Sequence, residues 1–411
     1  MISFIYLAPL FLYFPRFFPG VETQPLLMTG VALLALLLGR NFRAALCFTG
    51  LALAMLCWIM IKIVIDGAFG NALGLIQILI GPLTLFGALA LKAQAPSRNL
   101  MAGVTIYFVL SAALEILASN AYEAVASALL SRASIFDGHR GVSLFTPEPT
   151  YATISVTYFL VLAWWSGKHW GFRYGWIEPA LALCLILTGS TYAGILLLAL
   201  ACVRWPRLMI LGLLSAVVVV PSIGHVALNN DESIRAVVAI SRLLSAEFRD
   251  FLPSISVIDS SLGSRLTTNA ASFLTPLHSP LGLGLSCSAV PSAFNAAGFD
   301  FAFSNTVLTA VLDEGCLKPQ SYVASVALGL GVLSLVFVPL LAGLTIHARG
   351  RERHKIWSPP LVLAIVMLFV QGQLSNPIPW MLIYFALSSV PEQPQPRRPA
   401  RHTSHNWLAP T

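Results

Sequence analysis

Residues 140–151 read Arg-Gly-Val-Ser-Leu-Phe-Thr-Pro-Glu-Pro-Thr-Tyr and run straight into an apolar stretch. Pro149 suits the first turn of a helix, where its missing N–H leaves nothing unpaired. Glu148 then stands at the positive end of that helix, and the dipole keeps its carboxylate ionised. A carboxylate fixed there can orient or deprotonate a hydroxyl. The dipole also lowers its basicity, which favours orienting as much as proton removal. The plainer role for Glu148 is a helix cap, with Arg140 as its partner. Arg140, and Arg265 further on, are of the residue type that grips phosphate through two parallel hydrogen bonds. The plainer role for each is a loop salt bridge.

A second basic set lies at 233–251, SIRAVVAISRLLSAEFRDF. Val237, Ile240, Leu244, Phe248 and Phe251 fall on one side of a helix at 100° per residue. Arg235, Arg242 and Arg249 recur every seven residues and form a stripe on the opposite side. Such a helix can lie at an interface with its arginines on lipid phosphates or in water. Alternatively, the stripe can wall a cavity for a phosphorylated lipid. No metal-ligand spacing is present: the six cysteines are far apart and no His pair stands at i, i+4. Cys47, Cys57, Cys184 and Cys202 fall in apolar stretches as small core residues. Cys287 and Cys316 fall in a long polar region, where a disulfide is chemically possible in an oxidising compartment.

The scaffold that must hold these groups is set by composition. The chain has 411 residues, 57% hydrophobic and 10% charged, with a mean hydropathy of +0.80. Soluble globular chains carry about 25% charged residues, and disordered chains are poor in apolar ones. Both classes are excluded. The pattern predicts an all-α, polytopic integral membrane protein of about 12 transmembrane helices of about 20 residues each. Apolar spans are read near 2–18, 25–39, 44–64, 71–91, 99–118, 150–166, 174–189, 190–203, 208–228, 321–346, 358–372 and 377–390. With the N-terminus inside, 15 of the 24 Lys and Arg residues, from Arg40 and Arg43 to Arg398 and Arg401, fall on the inner side. Only three acids, Glu178, Glu352 and Glu392, accompany them. Every inner loop is then basic, as the positive-inside rule requires. The net charge of +7 thus orients the chain and needs no nucleic acid to explain it.

This reading gives one membrane domain over 1–390, with both termini cytoplasmic and long outer (periplasmic) loops, containing short helices, at about 119–149 and 229–320. The first span lacks a basic leader and a cleavage site and is expected to be retained. The tail, 391–411, carries Pro391, Pro394, Pro396 and Pro399 with Arg397, Arg398 and Arg401, and is expected to be disordered and cytoplasmic. Long loops on one side of a rigid scaffold usually carry function. Lys62, Glu115 and His225 lie toward the outer ends of their spans. Ion-coupled transporters place such groups at mid-depth, so the chemistry is expected at the outer water interface.

The residues at 140–151 resemble the outer-loop motif Arg-Gly-x-x-x-Phe-x-x-Glu-Pro-Thr-Tyr of the bacterial O-antigen polymerase–ligase superfamily. Leu187-Thr188-Gly189-Ser190-Thr191 resembles that family's Thr-Gly-Ser break between spans. Ser264-Arg265 with Pro280-Leu281-Gly282-Leu283-Gly284 resembles its Arg…Pro-x-Gly-x-Gly loop. Ser304-Asn305-Thr306-Val307-Leu308 with Leu312-Asp313-Glu314-Gly315 resembles its Asn-Thr-x-Leu…Glu-x-Gly helix. The likeness runs in order over roughly residues 140–320. Ligase members commonly carry His just before that Asn, where this chain has Ser304; His278 is the available substitute, and the polymerase branch is favoured.

The resemblance implies a polysaccharide polymerase, a glycosyltransferase at the outer face of a bacterial inner membrane. It would move glycan from an undecaprenyl-diphosphate carrier onto a hydroxyl of a lipid-linked repeat unit, without metal or cofactor. The Asp-x-Asp metal motif of nucleotide-sugar transferases does not occur in the chain. The implied catalytic residues are Arg140, Arg265 and Glu148. The implied substrate-binding residues are Arg132, Tyr151, Arg242, His278, Gly282, Gly284, Asn305 and Glu314. Implied partners are the lipid-linked oligosaccharide, membrane lipids and a chain-length regulator protein, with no nucleic acid. The alternatives are an O-antigen ligase acting on lipid A-core, a lipid-linked oligosaccharide transporter, and a non-catalytic membrane scaffold.

Overall fold

The computed structural model describes residues 6–12, 26–66, 70–91, 96–130, 141–170, 175–204, 260–286, 288–297, 319–349, 358–370, 374 and 376–387. Among these, every regular element is a helix: α1 (Leu26–Leu38), α2 (Phe42–Asp66), α3 (Gly70–Gln77), α4 (Ile80–Leu91), α5 (Arg98–Leu117), α6 (Ser119–Leu129), α7 (Pro149–Trp170), α8 (Ile177–Leu187), α9 (Thr191–Arg204), α10 (Ser260–His278), α11 (Ala289–Ala297), α12 (Tyr322–Leu330), α13 (Ser334–Arg349), α14 (Pro359–Val370) and α15 (Ile378–Leu387). Short 3-10 turns cover Ala8–Leu12 and Gly331–Leu333. The span expected at 208–228, the helix expected at 233–251 and the tail from 391 lie outside the described residues.

Among the described residues, four helices are long and apolar enough to cross a membrane: Phe42–Ile65, Gly74–Leu91, Arg98–Leu117 and Tyr322–Arg349. Five shorter apolar helices accompany them, at Met28–Leu38, Ile177–Leu187, Tyr192–Cys202, Pro359–Val370 and Ile378–Leu387. Helix α2 shows what such a helix turns outward: Leu53, Leu56, Met60 and Val64 are exposed, Val64 by 81%. A soluble monomer does not carry an apolar face of that extent.

Helix α7 sits among α5, α8, α9, α14 and α15. Its residues 151–159 are buried on every side, which lets it carry Thr153, Ser155 and Thr157 in the interior. A helix enclosed by protein on all faces need not be apolar toward lipid. The helix ends meet in two groups. Asn41 Nδ2 donates to Leu89 O (3.4 Å) and Ala348 O (3.0 Å), which ties together the ends of α2, α4 and α13. At the opposite ends, Tyr322 Oη donates to Ile78 O (2.8 Å) and its ring stands edge-on to Trp380.

Two expected spans are broken. The stretch 71–91 divides between α3 and α4, where Ile78 N and Leu79 N turn back to Leu75 O and Ile76 O. The stretch 321–346 divides at Gly331, whose φ of 58° is costly for any other residue. The region expected as a loop at 229–320 contains the 19-residue α10. Its buried face is polar, with Thr267, Thr268, Asn269, Ser272 and Thr275. These groups are accommodated because α10 runs beside α12: Ser321 N donates to Asn269 Oδ1 (3.2 Å) near one end, and Val332 N to Pro280 O (2.8 Å) near the other.

Candidate active site

Helix α7 starts at Pro149 as the sequence predicts, and Glu148 O accepts from Tyr151 N and Ala152 N in its first turn. The Glu148 side chain meets Arg265, on the second turn of α10. Arg265 Nη2 lies 3.5 Å from Glu148 Oε2, with the two side chains 24% and 27% exposed. Residues from two regions 117 positions apart thus form one ion pair that water reaches. The partner expected for Glu148 was Arg140, which lies outside the described residues.

The loop carrying Glu148 is held from below by a residue that sequence reasoning set aside. Glu115, near the end of α5, is 1% exposed. Its Oε1 accepts from Ser143 Oγ (3.0 Å) and Ser143 N (2.9 Å), and its Oε2 from Leu144 N (3.0 Å). Tyr122 on α6 completes the cradle: its Oη lies 2.7 Å from Ser143 Oγ and accepts from Phe145 N at 2.7 Å. Burial, and after it the Glu115 charge, keeps the Tyr122 phenol well above its ordinary pKa. Tyr122 is therefore a proton-bearing donor throughout neutral pH. Leu144 and Phe145 are left-handed, at φ 52° and 56°. Two successive non-glycine residues of this kind persist only where the surroundings hold them.

The same loop docks on the break between α8 and α9. Val142 N donates to Leu187 O (3.0 Å), and Thr153 Oγ1 pairs with Thr188 Oγ1 (2.8 Å). A side chain at Gly141 would run into the Thr188 carbonyl, and Gly189 takes φ 56° against it. Glycine is required on both sides of that contact. Just past the break, Tyr192 is 5% exposed. Its hydroxyl has no hydrogen-bond partner among the described residues, and it lies within electrostatic reach of Arg265.

No family model, curated protein or solved structure matches the chain. Its site therefore has to be read from its own geometry. A carboxylate and a guanidinium meet at the mouth of a buried helix, with a buried phenol in electrostatic reach of the guanidinium. That set can orient a hydroxyl and neutralise an anion. Among the described residues no three His, Cys, Asp or Glu side chains come together as metal donors.

Of the other expected site residues, Tyr151 is buried one turn below Glu148. His278, Gly282 and Gly284 do not join the pair. His278 is exposed in the last turn of α10, 13 residues and roughly 20 Å along the helix from Arg265. Gly282 and Gly284 take φ 72° and 77°. The close approach that Gly282 permits is to the chain itself: a Cβ there would lie 2.5 Å from Gly329 O. Leu283 N donates to Leu328 O, and buried Lys62 donates to Gly282 O at 2.7 Å. This loop locks α10 to the α12–α13 break, and Gly282 has a packing role in it. Arg132, Arg140, Arg242, Asn305, Glu314, Cys287 and Cys316 lie outside the described residues.

Glu115, Tyr122 and Tyr192 were missed as site residues. Glu115 did carry a signal. It is the only Asp, Glu, Lys, Arg or His after Arg98 in a 20-residue apolar helix, and such a residue is a functional candidate by default. Tyr122 and Tyr192 had none, because their roles depend on contacts distant in sequence.

Proposed function

We propose that the chain is a polysaccharide polymerase: a glycosyltransferase that moves glycan from an undecaprenyl-diphosphate carrier onto a lipid-linked repeat unit. The observation that carries this reading is convergence. Motif residues at 141–151, 187–191 and 265 come from three separate regions and meet around the Glu148–Arg265 pair. In the reaction the acceptor hydroxyl oxygen bonds to the anomeric carbon, and the bond from that carbon to the diphosphate oxygen breaks. Glu148 orients the hydroxyl and helps take its proton. The departing diphosphate gathers negative charge, which Arg265, with Arg140, neutralises through fork-shaped hydrogen bonds. No metal or cofactor takes part.

The reading places about 12 spans in a bacterial inner membrane, with both termini cytoplasmic and the site facing outward. The inner-side Lys and Arg excess supports this, as does the grouping of helix ends. Asn41, Leu89 and Ala348, all assigned to the inner side, touch one another, while Glu148 and Arg265 share the other side. Membrane lipids and a chain-length regulator protein are the expected partners. The test is electrophoresis of polysaccharide from cells with and without the gene. A polymerase gives a ladder of lengths that collapses to single repeats on deletion. A ligase leaves length unchanged and alters only attachment.

A further inference from the structure

Arg265 makes one ion pair among the described residues, through one nitrogen, at 3.5 Å. A charge-assisted contact is ordinarily about 2.7–2.9 Å, and a guanidinium facing a matched anion uses two nitrogens in parallel. Glu148 therefore occupies Arg265 loosely, leaving the second arm of the fork uncommitted within the described residues. The pair is also about a quarter exposed, so an incoming anion can reach it. Within electrostatic reach of Arg265 stands Tyr192, a buried hydroxyl that bonds to nothing described. A buried hydroxyl without a partner costs stability unless something fills that place.

We propose that the Glu148–Arg265 pair is an exchangeable latch: a diphosphate takes the place of Glu148 on Arg265, with the Tyr192 hydroxyl as a further donor to it, and the displaced carboxylate is released to the acceptor hydroxyl. The proposal rests on the polymerase reading for the identity of the donor and deepens it, by making acceptor activation conditional on donor binding. Before the donor arrives, the Glu148 carboxylate is engaged by Arg265. Once a diphosphate takes Arg265, the Glu148 carboxylate can turn to the acceptor hydroxyl. The order of binding follows: donor first, then acceptor.

The test is binding of inorganic pyrophosphate, and in a second arm undecaprenyl diphosphate, to the purified full-length protein by calorimetry. Glu148→Gln keeps the shape and removes the competing charge. It should bind inorganic pyrophosphate about two- to fivefold more tightly, the range expected when a partly exposed ion pair stops competing. Glu148→Asp, with its carboxylate drawn back by one methylene, should move the same way by a smaller factor. Tyr192→Phe should bind about three- to tenfold more weakly, and Arg265→Ala should lose binding. Each variant is checked for a monodisperse elution peak and an unchanged melting temperature. Unchanged or weaker binding of both ligands in both Glu148 variants overturns the latch, and unchanged binding of both in Tyr192→Phe removes Tyr192 from it. Predicted shifts in a protein that forms no polymer would leave the latch standing and the polymerase reading refuted. Polymer formation with no tightening in the Glu148 variants would do the reverse. If only the undecaprenyl arm shows the shifts, the latch reads a lipid-linked diphosphate and not the free anion.

Discussion

Removing the Glu115 carboxylate should displace the loop that carries Glu148. Leu144 and Phe145 are held left-handed, which costs about 1–2 kcal/mol each, or roughly 2–4 kcal/mol together. Against that, Glu115 accepts from Ser143 N, Ser143 Oγ and Leu144 N. Hydrogen bonds to a charged group contribute about 1.5–3 kcal/mol each, so the three supply roughly 5–9 kcal/mol. The anchor wins by roughly 1–7 kcal/mol, about 4 kcal/mol at the middle of the two ranges. Glu115→Ala reverses the balance and lets both residues relax into the right-handed or extended region. Glu148, four residues on, then loses its place against Arg265. Ser143→Ala removes only the hydroxyl bond and should cost about 1 kcal/mol. The assay is polymer formation by purified protein from lipid-linked repeat units, at matched protein level. Glu115→Ala should lose at least about a hundredfold in rate, since each 1.4 kcal/mol is a factor of ten, while Ser143→Ala should lose no more than about tenfold. A Glu115→Ala protein within twofold of the parent rate would refute the claim that this carboxylate positions the loop.

Arg265→Ala should abolish polymer while protein level and membrane insertion hold, and Arg265→Lys should also be poor because an ammonium lacks the two-pronged fork. Arg140→Ala should behave alike, and the double variant should be scarcely worse than either single one, as for residues acting as a unit; normal ladders in either Arg→Ala strain would refute this. Gly282→Ala forces a side chain against the Gly329 carbonyl at φ 72°, and should lower the melting temperature in detergent through a loss of about 1–3 kcal/mol; an unchanged melting curve would contradict the packing role. Reporter fusions at Gly138 and Asn295 should both register as external, and a cytoplasmic signal from either would overturn the proposed topology.

The helices were legible in the sequence because apolar runs and capping residues are local. Pro149 opens α7 as expected, and Ser97 and Ser321 cap α5 and α12 by accepting from Leu100 N and Ala324 N. The breaks at Ile78–Leu79 and at Gly331 were not legible, since an apolar run reads as continuous whether or not its backbone turns. Helix α10 was hidden for the opposite reason: its buried threonines and Asn269 look like loop residues until α12 is placed beside them. At the site, the types of Glu148 and Arg265 announced their chemistry, but not that they face each other. Pairing across 117 residues is a property of the fold. The resemblance singled out Gly282; that its close neighbour is the chain's own backbone at Gly329 was not legible.

The central claim is bond formation between lipid-linked repeat units at the Glu148–Arg265 site. Its most direct measurement is incubation of the purified protein with undecaprenyl-diphosphate-linked repeat units in the presence of a metal chelator, with products resolved by gel electrophoresis. The parent protein should give a ladder of polymer lengths, and Arg265→Ala unextended single repeats. Unextended repeats from the parent protein as well, or ladders from both, would contradict it.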